Sequence, residues 1–332
     1  MPISSPWFWF DDGFAAKTAR ASLLPAAAIY DLGQQLRAAT TKAKRGRVPV
    51  ICVGNASVGG VGKTPFALRL SKALAPLTNG IFFLTRGYGG ARRGPVRVSG
   101  DHAAHDVGDE PLLLAAQGPT IVARDRPAGA ALAADLGARL IIMDDGYQNP
   151  TIAKDVAILL AGAEMNANHA ILPAGPMREP LARAASRADV IVTIGGNGQP
   201  IVQGNDESFR TVARLSSIGA PKVDSPVLAF CGIARPDRFF ETLRRLGAEL
   251  VDAVAFPDHH PFSDAELDAL DASAKKAGAR LITTAKDAAR LPSDRRAIID
   301  VLEVEMRIDN EDGLVDRIAT LLDARRPEWR DA

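Results

Sequence analysis

One stretch restricts this chain more than any other: Gly54-Asn55-Ala56-Ser57-Val58-Gly59-Gly60-Val61-Gly62-Lys63-Thr64. It follows the apolar run Val48–Val53 and leads into the helical pattern Pro65–Leu74, the strand–loop–helix setting that a phosphate-binding loop needs. Glycines let backbone N–H groups turn onto phosphate oxygens, and the helix N-terminus adds its dipole. Lys63 then reaches the terminal phosphates and Thr64 offers a hydroxyl to Mg²⁺. Strict G-x-x-x-x-G-K-[ST] spacing asks for glycine where this chain has Ser57, but Gly59 and Gly60 keep the loop flexible. The expected nucleotide-binding set is Ser57, Val58, Gly59, Gly60, Val61, Gly62, Lys63 and Thr64. A glycine-rich turn that binds nothing is the alternative. Against it stands Leu140–Met143 followed by Asp144-Asp145, because paired carboxylates after a buried strand are expensive without a cation or donors. Thr64, Asp144 and Asp145 are the expected Mg²⁺ residues, and a nucleoside triphosphate is the expected ligand.

From Val48 onward, apolar runs alternate with helical patterns. Val48–Val53, Ile81–Thr85, Thr120–Ala123, Leu140–Met143, Val156–Leu160 and Val190–Ile194 read as buried strands. Amphipathic segments such as Pro65–Leu74 and Pro127–Leu136 lie between them. The alternation predicts an α/β fold of P-loop NTPase type, a mostly parallel sheet with helices on both faces. A polar stretch over 195–206 interrupts the rhythm, and a strand-like Phe209–Leu215 leads to Gly219-Ala220-Pro221. Alternation resumes with a strand at Val227–Cys231, a helix over Arg235–Leu246 and a strand over Leu250–Phe256. A helix starts after Ser263, where Ser263-Asp264-Ala265-Glu266 has capping-box spacing. Strands at Leu281–Thr284 and Val301–Val304 and a helix over Gly313–Leu322 complete a smaller C-terminal α/β domain. The expected division is an N-terminal arm over 1–47, a P-loop domain over 48–220 and the smaller domain over 221–332.

The arm has a composition of its own. It opens on Pro6-Trp7-Phe8-Trp9-Phe10 and continues in a helical stretch, Ala21–Arg37, interrupted by Pro25 and Gly33. The basic run Arg37, Lys42, Lys44, Arg45, Arg47 follows. Aromatic residues beside an apolar helix and a basic cluster are what interfacial membrane binding uses. A helix packed on the body with a solvated basic end is the alternative. No apolar run approaches the ~18 residues of a spanning helix, and the N-terminus lacks the pattern of a secretory signal. Across the whole chain, 40 Lys+Arg against 39 Asp+Glu give a net charge of +1, so nucleic acid is not an expected partner. Two cysteines fit a reducing compartment and rule out a disulfide scaffold.

The loop narrows the class further. Partitioning ATPases and metallochaperone-like switches carry a lysine ahead of the Gly-Gly pair, where this chain has Val58, and no guanine-reading Asn-Lys-x-Asp is present. Small-substrate kinases remain. The chain closely resembles the tetraacyldisaccharide 4′-kinase family of lipid A biosynthesis. The resemblance runs through Val53-Gly54-Asn55, Ser57-Val58-Gly59-Gly60, Gly62-Lys63-Thr64-Pro65, Thr85-Arg86-Gly87-Tyr88-Gly89-Gly90 and Gly108-Asp109-Glu110-Pro111. It continues in Asp144-Asp145-Gly146-Tyr147-Gln148, Leu172-Pro173-Ala174-Gly175-Pro176 with Arg178-Glu179, Phe256-Pro257-Asp258-His259 and Thr283-Thr284 with Lys286-Asp287. Asn149 and Ala285 depart from the pattern, standing where the family usually has His and often has Glu. The resemblance implies phosphoryl transfer from ATP, with Mg²⁺, to the 4′-hydroxyl of a tetraacylated glucosamine disaccharide 1-phosphate. It also implies an arm held peripherally at the cytoplasmic face of the bacterial inner membrane. A membrane-peripheral P-loop switch or ATPase is the competing class.

Several residues read ambiguously by themselves. A carboxylate that accepts a sugar hydroxyl's proton assists phosphoryl transfer, yet Asp109 opens a helical pattern and reads equally as an N-cap. Asp258-His259-His260 reads first as structural, and Arg178 as one end of a surface ion pair. The resemblance implies that Asp109 is catalytic and that His259 pairs with it across a cleft; Arg178, read instead as an interior arginine, would face the phosphates with Lys63 and stabilise charge on the transferring group. Arg86, Tyr88, Glu110, Gln148 and Glu179 are carried as candidate substrate contacts.

Overall fold

The strand ahead of the phosphate loop, β1 (Val50–Asn55), is buried along its whole length. Its alternation builds two cores at once. Val50 and Cys52 join one apolar cluster, and Ile51 and Val53 join another on the opposite face. This is the period-2 logic of a strand covered on both sides. The computed structural model describes residues 6–162, 168–195, 208–217 and 225–330. It continues with β2 (Ile81–Thr85), β3 (Val96–Arg97), β4 (Thr120–Val122), β5 (Leu140–Asp144), β6 (Val156–Gly162), β7 (Val190–Ile194) and β8 (Phe209–Ser217). A second sheet holds β9 (Val227–Cys231), β10 (Leu250–Ala255), β11 (Arg280–Thr284) and β12 (Asp300–Leu302). The last strand is β13 (Val304–Ile308).

The helices are α1 (Phe14–Thr40), α2 (Lys63–Leu74), α3 (Ala104–Val107), α4 (Asp109–Ala115), α5 (Arg126–Asp135) and α6 (Leu181–Ser186). Those of the second half are α7 (Pro236–Arg245), α8 (Asp264–Lys276), α9 (Ala285–Ala288), α10 (Ser293–Arg296) and α11 (Glu311–Arg325). Ser263 caps α8 with both capping-box bonds in place, as its spacing predicts.

The nine-stranded sheet runs β13-β8-β7-β6-β1-β5-β2-β4-β3, and the four-stranded sheet runs β10-β9-β11-β12. Pairing is parallel except at the two edges of the large sheet, β13 on β8 and β3 on β4. The run read as one strand over Val301–Val304 is divided at Glu303: β12 pairs with β11 in the small sheet, whereas β13 returns to the large one. Arg69 on α2 reinforces that return, with Glu305 at 3.0 Å and Glu311 at 2.6 Å. Residues 304–330 therefore belong with the large sheet, and the small sheet spans 227–302. The polar stretch beyond Gly195 and the Gly219-Ala220-Pro221 turn lie outside the described residues.

The arm's helix is longer than its sequence pattern implies, and Pro25 does not break it. Contacts on either side of the proline hold it. Arg20 donates to the carbonyls of Phe8 at 2.9 Å and Asp11 at 2.8 Å, and Arg183 on α6 pairs with Asp31. Only Ala16 and Ala27 of α1 are buried. At about 100° per residue, the exposed Phe14, Ile29, Leu32 and Leu36 fall within one ~60° sector, opposite those alanines. The arm is docked by one face and presents an apolar stripe outward. Among the described residues, no helix is long and apolar enough to cross a membrane.

Candidate active site

The phosphate loop leaves β1 and turns into α2 at Gly62, whose φ of 89° is the left-handed region that favours glycine. Its first half is braced from outside: Val58 N–H donates to Pro176 O at 2.8 Å, and Arg178 N–H donates to Ala56 O at 2.7 Å. Val58 N–H is therefore committed to the protein, although Val58 is among the residues expected at the nucleotide. Ser57 is fully buried and accepts from Asn55 Nδ2 at 3.1 Å. The N–H groups of Gly59, Gly60, Val61 and Gly62 have no protein acceptor among the described residues, which leaves them available as donors. Lys63 Nζ folds back over the loop, 3.4 Å from Asn55 Oδ1 and 3.7 Å from Asp145 Oδ1.

Asp144 ends β5 directly beside β1, in register with Val53. Thr64 Oγ1 donates to Asp144 Oδ2 at 2.9 Å, while the buried Oδ1 has no hydrogen-bond partner. Burial, then the charge of Glu110, pushes the Asp144 carboxyl up to about 7 against the pull of Lys63. An orphaned carboxylate oxygen beside a threonine hydroxyl is the hard-oxygen donor set that Mg²⁺ takes, with phosphates and waters completing its shell. No group of three or more His, Cys, Asp or Glu side chains forms a metal cluster among the described residues. Asp145 sits at φ 53°, a strained position for a non-glycine residue. Burial raises its carboxyl, yet Lys63 and Arg178 hold it below the usual range. Arg178 grips it at 2.9 and 3.3 Å, so Arg178 is part of this charged cluster and not of the outer surface.

Gln148 and Glu179 are engaged by the protein itself. Gln148 Nε2 donates to Asn55 O at 2.8 Å and to Glu179 Oε1 at 3.0 Å, and Glu179 is also held by Arg187 at 2.8 and 2.9 Å. They brace the loop and are not free for substrate. Asn149, a departure from the family pattern, closes its own turn by accepting from Thr151 N–H at 2.8 Å. Sequence reasoning missed Arg126, at the start of α5. Its guanidinium is buried with Nε unpartnered, and burial pushes it down to about 10 against the attraction of Asp145. Arg86 and Tyr88 stand exposed on the loop after β2.

Gly108, at φ 93°, is the N-cap of α4, and an added Cβ there would fall 2.3 Å from Tyr88 O. Asp109 is thus the first helical residue, free of capping duty, and 3% exposed. It meets the small sheet's loops. His259 Nδ1 lies 3.2 Å from Asp109 Oδ2, and Arg290 Nη2 lies 3.0 Å from the same oxygen. Lys286 Nζ is 3.8 Å from it and 3.8 Å from Glu110 Oε1. Burial opposes charge on Asp109, but His259, Lys286 and Arg290 overcome it and hold the carboxyl far below the carboxylate range. Lys286 Nζ also lies 3.2 Å from His259 Nε2. An ammonium is only a donor, so this contact is a hydrogen bond in the tautomer that carries its proton on Nδ1, facing Asp109. His259 is itself strained, at φ 60°, and Tyr88 packs on its ring at 5.5 Å between centroids. Lys286 stands in the motif Lys286-Asp287 but carries no assigned role from the sequence, and Arg290 is not singled out there. Their four-residue spacing, which puts two cations on one face of a helical turn, was the available signal.

The family profile for Tetraacyldisaccharide-1-P 4′-kinase matches residues 19–323. The tetraacyldisaccharide 4′-kinase of Parvibaculum lavamentivorans is 48% identical over 301 residues, 87% of each chain. That of Methylobacterium nodulans is 44% identical over 333 residues, covering 97% of this chain and 95% of its own. Among solved structures, LpxK from Aquifex aeolicus in complex with ATP is similar, with a TM-score of 0.75 and 28% identity. That match covers 91% of this chain and 99% of the other.

Proposed function

The chain belongs to the tetraacyldisaccharide 4′-kinase family, and we propose that its two facing clusters divide the work of the transfer between them. It is an ATP-dependent lipid A 4′-kinase. The acceptor is the 4′-hydroxyl of a tetraacylated glucosamine disaccharide 1-phosphate. The loop N–H groups of 59–62 and Lys63 bind and orient the ATP phosphates. Thr64 and Asp144 hold Mg²⁺, with Asp145 behind them, and the ion when bound neutralises charge on the phosphates. Arg178 adds positive charge on the same side, where it stabilises negative charge spread over the transferring group. Asp109 accepts the acceptor hydroxyl's proton, and His259 orients it. The observation that carries this reading is the buried Asp109–His259 pair beside a phosphate loop whose Thr64–Asp144 pair fits a metal.

The arm's outward stripe of Phe14, Ile29, Leu32 and Leu36, joined by Trp7 and Phe10, suits a peripheral seat on a lipid surface. We place that seat at the cytoplasmic face of the inner membrane, where the acylated acceptor would lie. Arg86 and Tyr88, at the exposed rim, remain the candidates for contact with its headgroup. The test supplies ATP, Mg²⁺ and the monophosphorylated acylated disaccharide in detergent and follows product mass. Acceptor-dependent appearance of the bisphosphorylated lipid supports the reading. Steady ATP hydrolysis that ignores the acceptor would restore the switch or ATPase alternative.

A further inference from the structure

The contacts of Asp109 are lopsided. Arg290 reaches Oδ2 with Nη2 at 3.0 Å and Nε at 3.2 Å, His259 Nδ1 reaches it at 3.2 Å, and Lys286 stands 3.8 Å away. All converge on one oxygen, and among the described residues no hydrogen bond engages Oδ1. The guanidinium that does most of this is itself fixed. Its side chain is 6% exposed, and Nη1 donates to Gly232 O and His260 O at 3.2 Å each. Asp287 stands 3.2 Å away on the other side. Asp287 is in turn held by Thr284 Oγ1 at 2.6 Å and by Gly232 N–H at 3.0 Å. Three loops of the small sheet therefore aim one planar fork at one carboxylate oxygen of the large sheet's domain.

We infer that Arg290 is a positioning residue for the transfer: it locks Oδ2 of Asp109, so that Oδ1 is the oxygen presented to the acceptor hydroxyl. The inference rests on Asp109 being the base. In the step it serves, the hydroxyl oxygen bonds to the γ-phosphorus as the bond to the β,γ-bridging oxygen breaks. The electron pair leaves with ADP and the hydroxyl proton passes to Oδ1. A second consequence concerns charge. The groups facing Asp109 are Arg290, His259 and Lys286 from the small sheet's loops and Glu110 from its own helix, with Asp258 beyond Lys286 at 3.8 Å. Removing the nearest cation leaves the carboxylate easier to protonate.

The test uses the full chain with Arg290→Met, Arg290→Ala, Arg290→Lys and Asp109→Asn. In Arg290→Met, kcat falls about 10–100-fold while KM for ATP stays within about twofold, the pattern of a lost acid–base arrangement. Added guanidinium restores turnover to Arg290→Ala and not to Asp109→Asn. A lysine gives one point contact instead of a fork, so Arg290→Lys loses about fivefold or more in kcat with an unchanged KM for ATP. That variant carries the test if the shorter ones do not fold by circular dichroism. Wild-type kcat in Arg290→Met or in Arg290→Lys, or no rescue of Arg290→Ala by guanidinium, overturns the inference while an inactive Asp109→Asn preserves the base. An active Asp109→Asn removes the base itself, and the inference with it.

Discussion

Replacing Asp144 by Asn should abolish turnover and yet make the metal-free protein more stable at alkaline pH. The carboxyl is 1% exposed, one oxygen lacks a partner, and its pKa rises from 3.8 to about 7, through burial first and Glu110 second. A carboxyl whose folded pKa lies above its unfolded one favours the fold when protonated. Its contribution is therefore intact below the unfolded value, declines as pH rises through the interval, and is gone above about 7. At about 1.36 kcal/mol per unit, the full interval corresponds to roughly 4 kcal/mol, of which about 2–3 kcal/mol falls between pH 5 and pH 8. Asparagine keeps the volume and an acceptor for the Thr64 hydroxyl but never ionises. The assay is urea unfolding in EDTA, followed by the fluorescence of the buried Trp329, with both proteins measured from pH 5 to pH 8. Titrating groups that do not face Asp144 cancel in the difference, which should grow by about 2–3 kcal/mol in favour of the variant. Mg²⁺ with ATP should then stabilise wild type far more than Asp144→Asn, by mass action. Parallel pH profiles for the two proteins would refute the reasoning, since Asp144 would then be an ordinary solvated carboxylate.

Lys63→Ala should lose nearly all turnover with the fold retained by circular dichroism, because it removes a charge directed at the phosphates and no core side chain; near-wild-type activity would remove the loop from the reaction. Replacing Ile29, Leu32 and Leu36 together by serine should weaken flotation with liposomes and raise KM for the lipid far more than for ATP, and unchanged flotation would mean that the stripe faces no bilayer. Asp109→Ala should lower kcat by about 10²–10⁴-fold and His259→Ala by less. The double variant should fall well short of the product, because the two act as a unit, whereas fully multiplicative losses would separate them.

The phosphate loop was legible because its chemistry is local: eleven consecutive residues carry the turn, the lysine and the hydroxyl. Periodicity likewise delivered the alternation of strands and helices, and four residues of capping-box spacing fixed the start of α8. Residues whose roles depend on distant partners were harder. Gln148 and Glu179 follow motifs that point at substrate, but Asn55 O and Arg187 of the protein itself engage them. Val58 belongs to the loop's consensus region, yet its N–H is taken by a segment 118 residues later. Arg290 is one of many arginines until the loops of the small sheet enclose it. The return of the chain at Val304 was hidden because β12 and β13 are separated by a single residue, and both halves read as one strand.

The topology explains how a site can be assembled from residues as far apart in sequence as Asp109 and His259. Each sheet is parallel around its centre, so each has one edge where its strands' carboxyl ends collect, and open α/β sheets gather ligands outside that edge. On the large sheet, the carboxyl ends of β1, β2 and β5 lead to Lys63 and Thr64 at the start of α2, to Tyr88, and to Asp144 and Asp145. On the small sheet, the segments after β9, β10 and β11 carry Gly232, His259, and Lys286 with Arg290. The contacts of Asp109 with Arg290 and of Tyr88 with His259 join one carboxyl edge to the other. The connections of the small sheet begin and end at neighbouring antiparallel strands, β8 and β13, so its chain ends are anchored side by side next to α2. Neither sheet by itself holds both a phosphate cradle and the cations that surround Asp109. A change that leaves each domain folded but alters how the edges meet should therefore spare ATP binding and cost turnover, which makes the split between KM for ATP and kcat the quantity to follow in variants along this cleft.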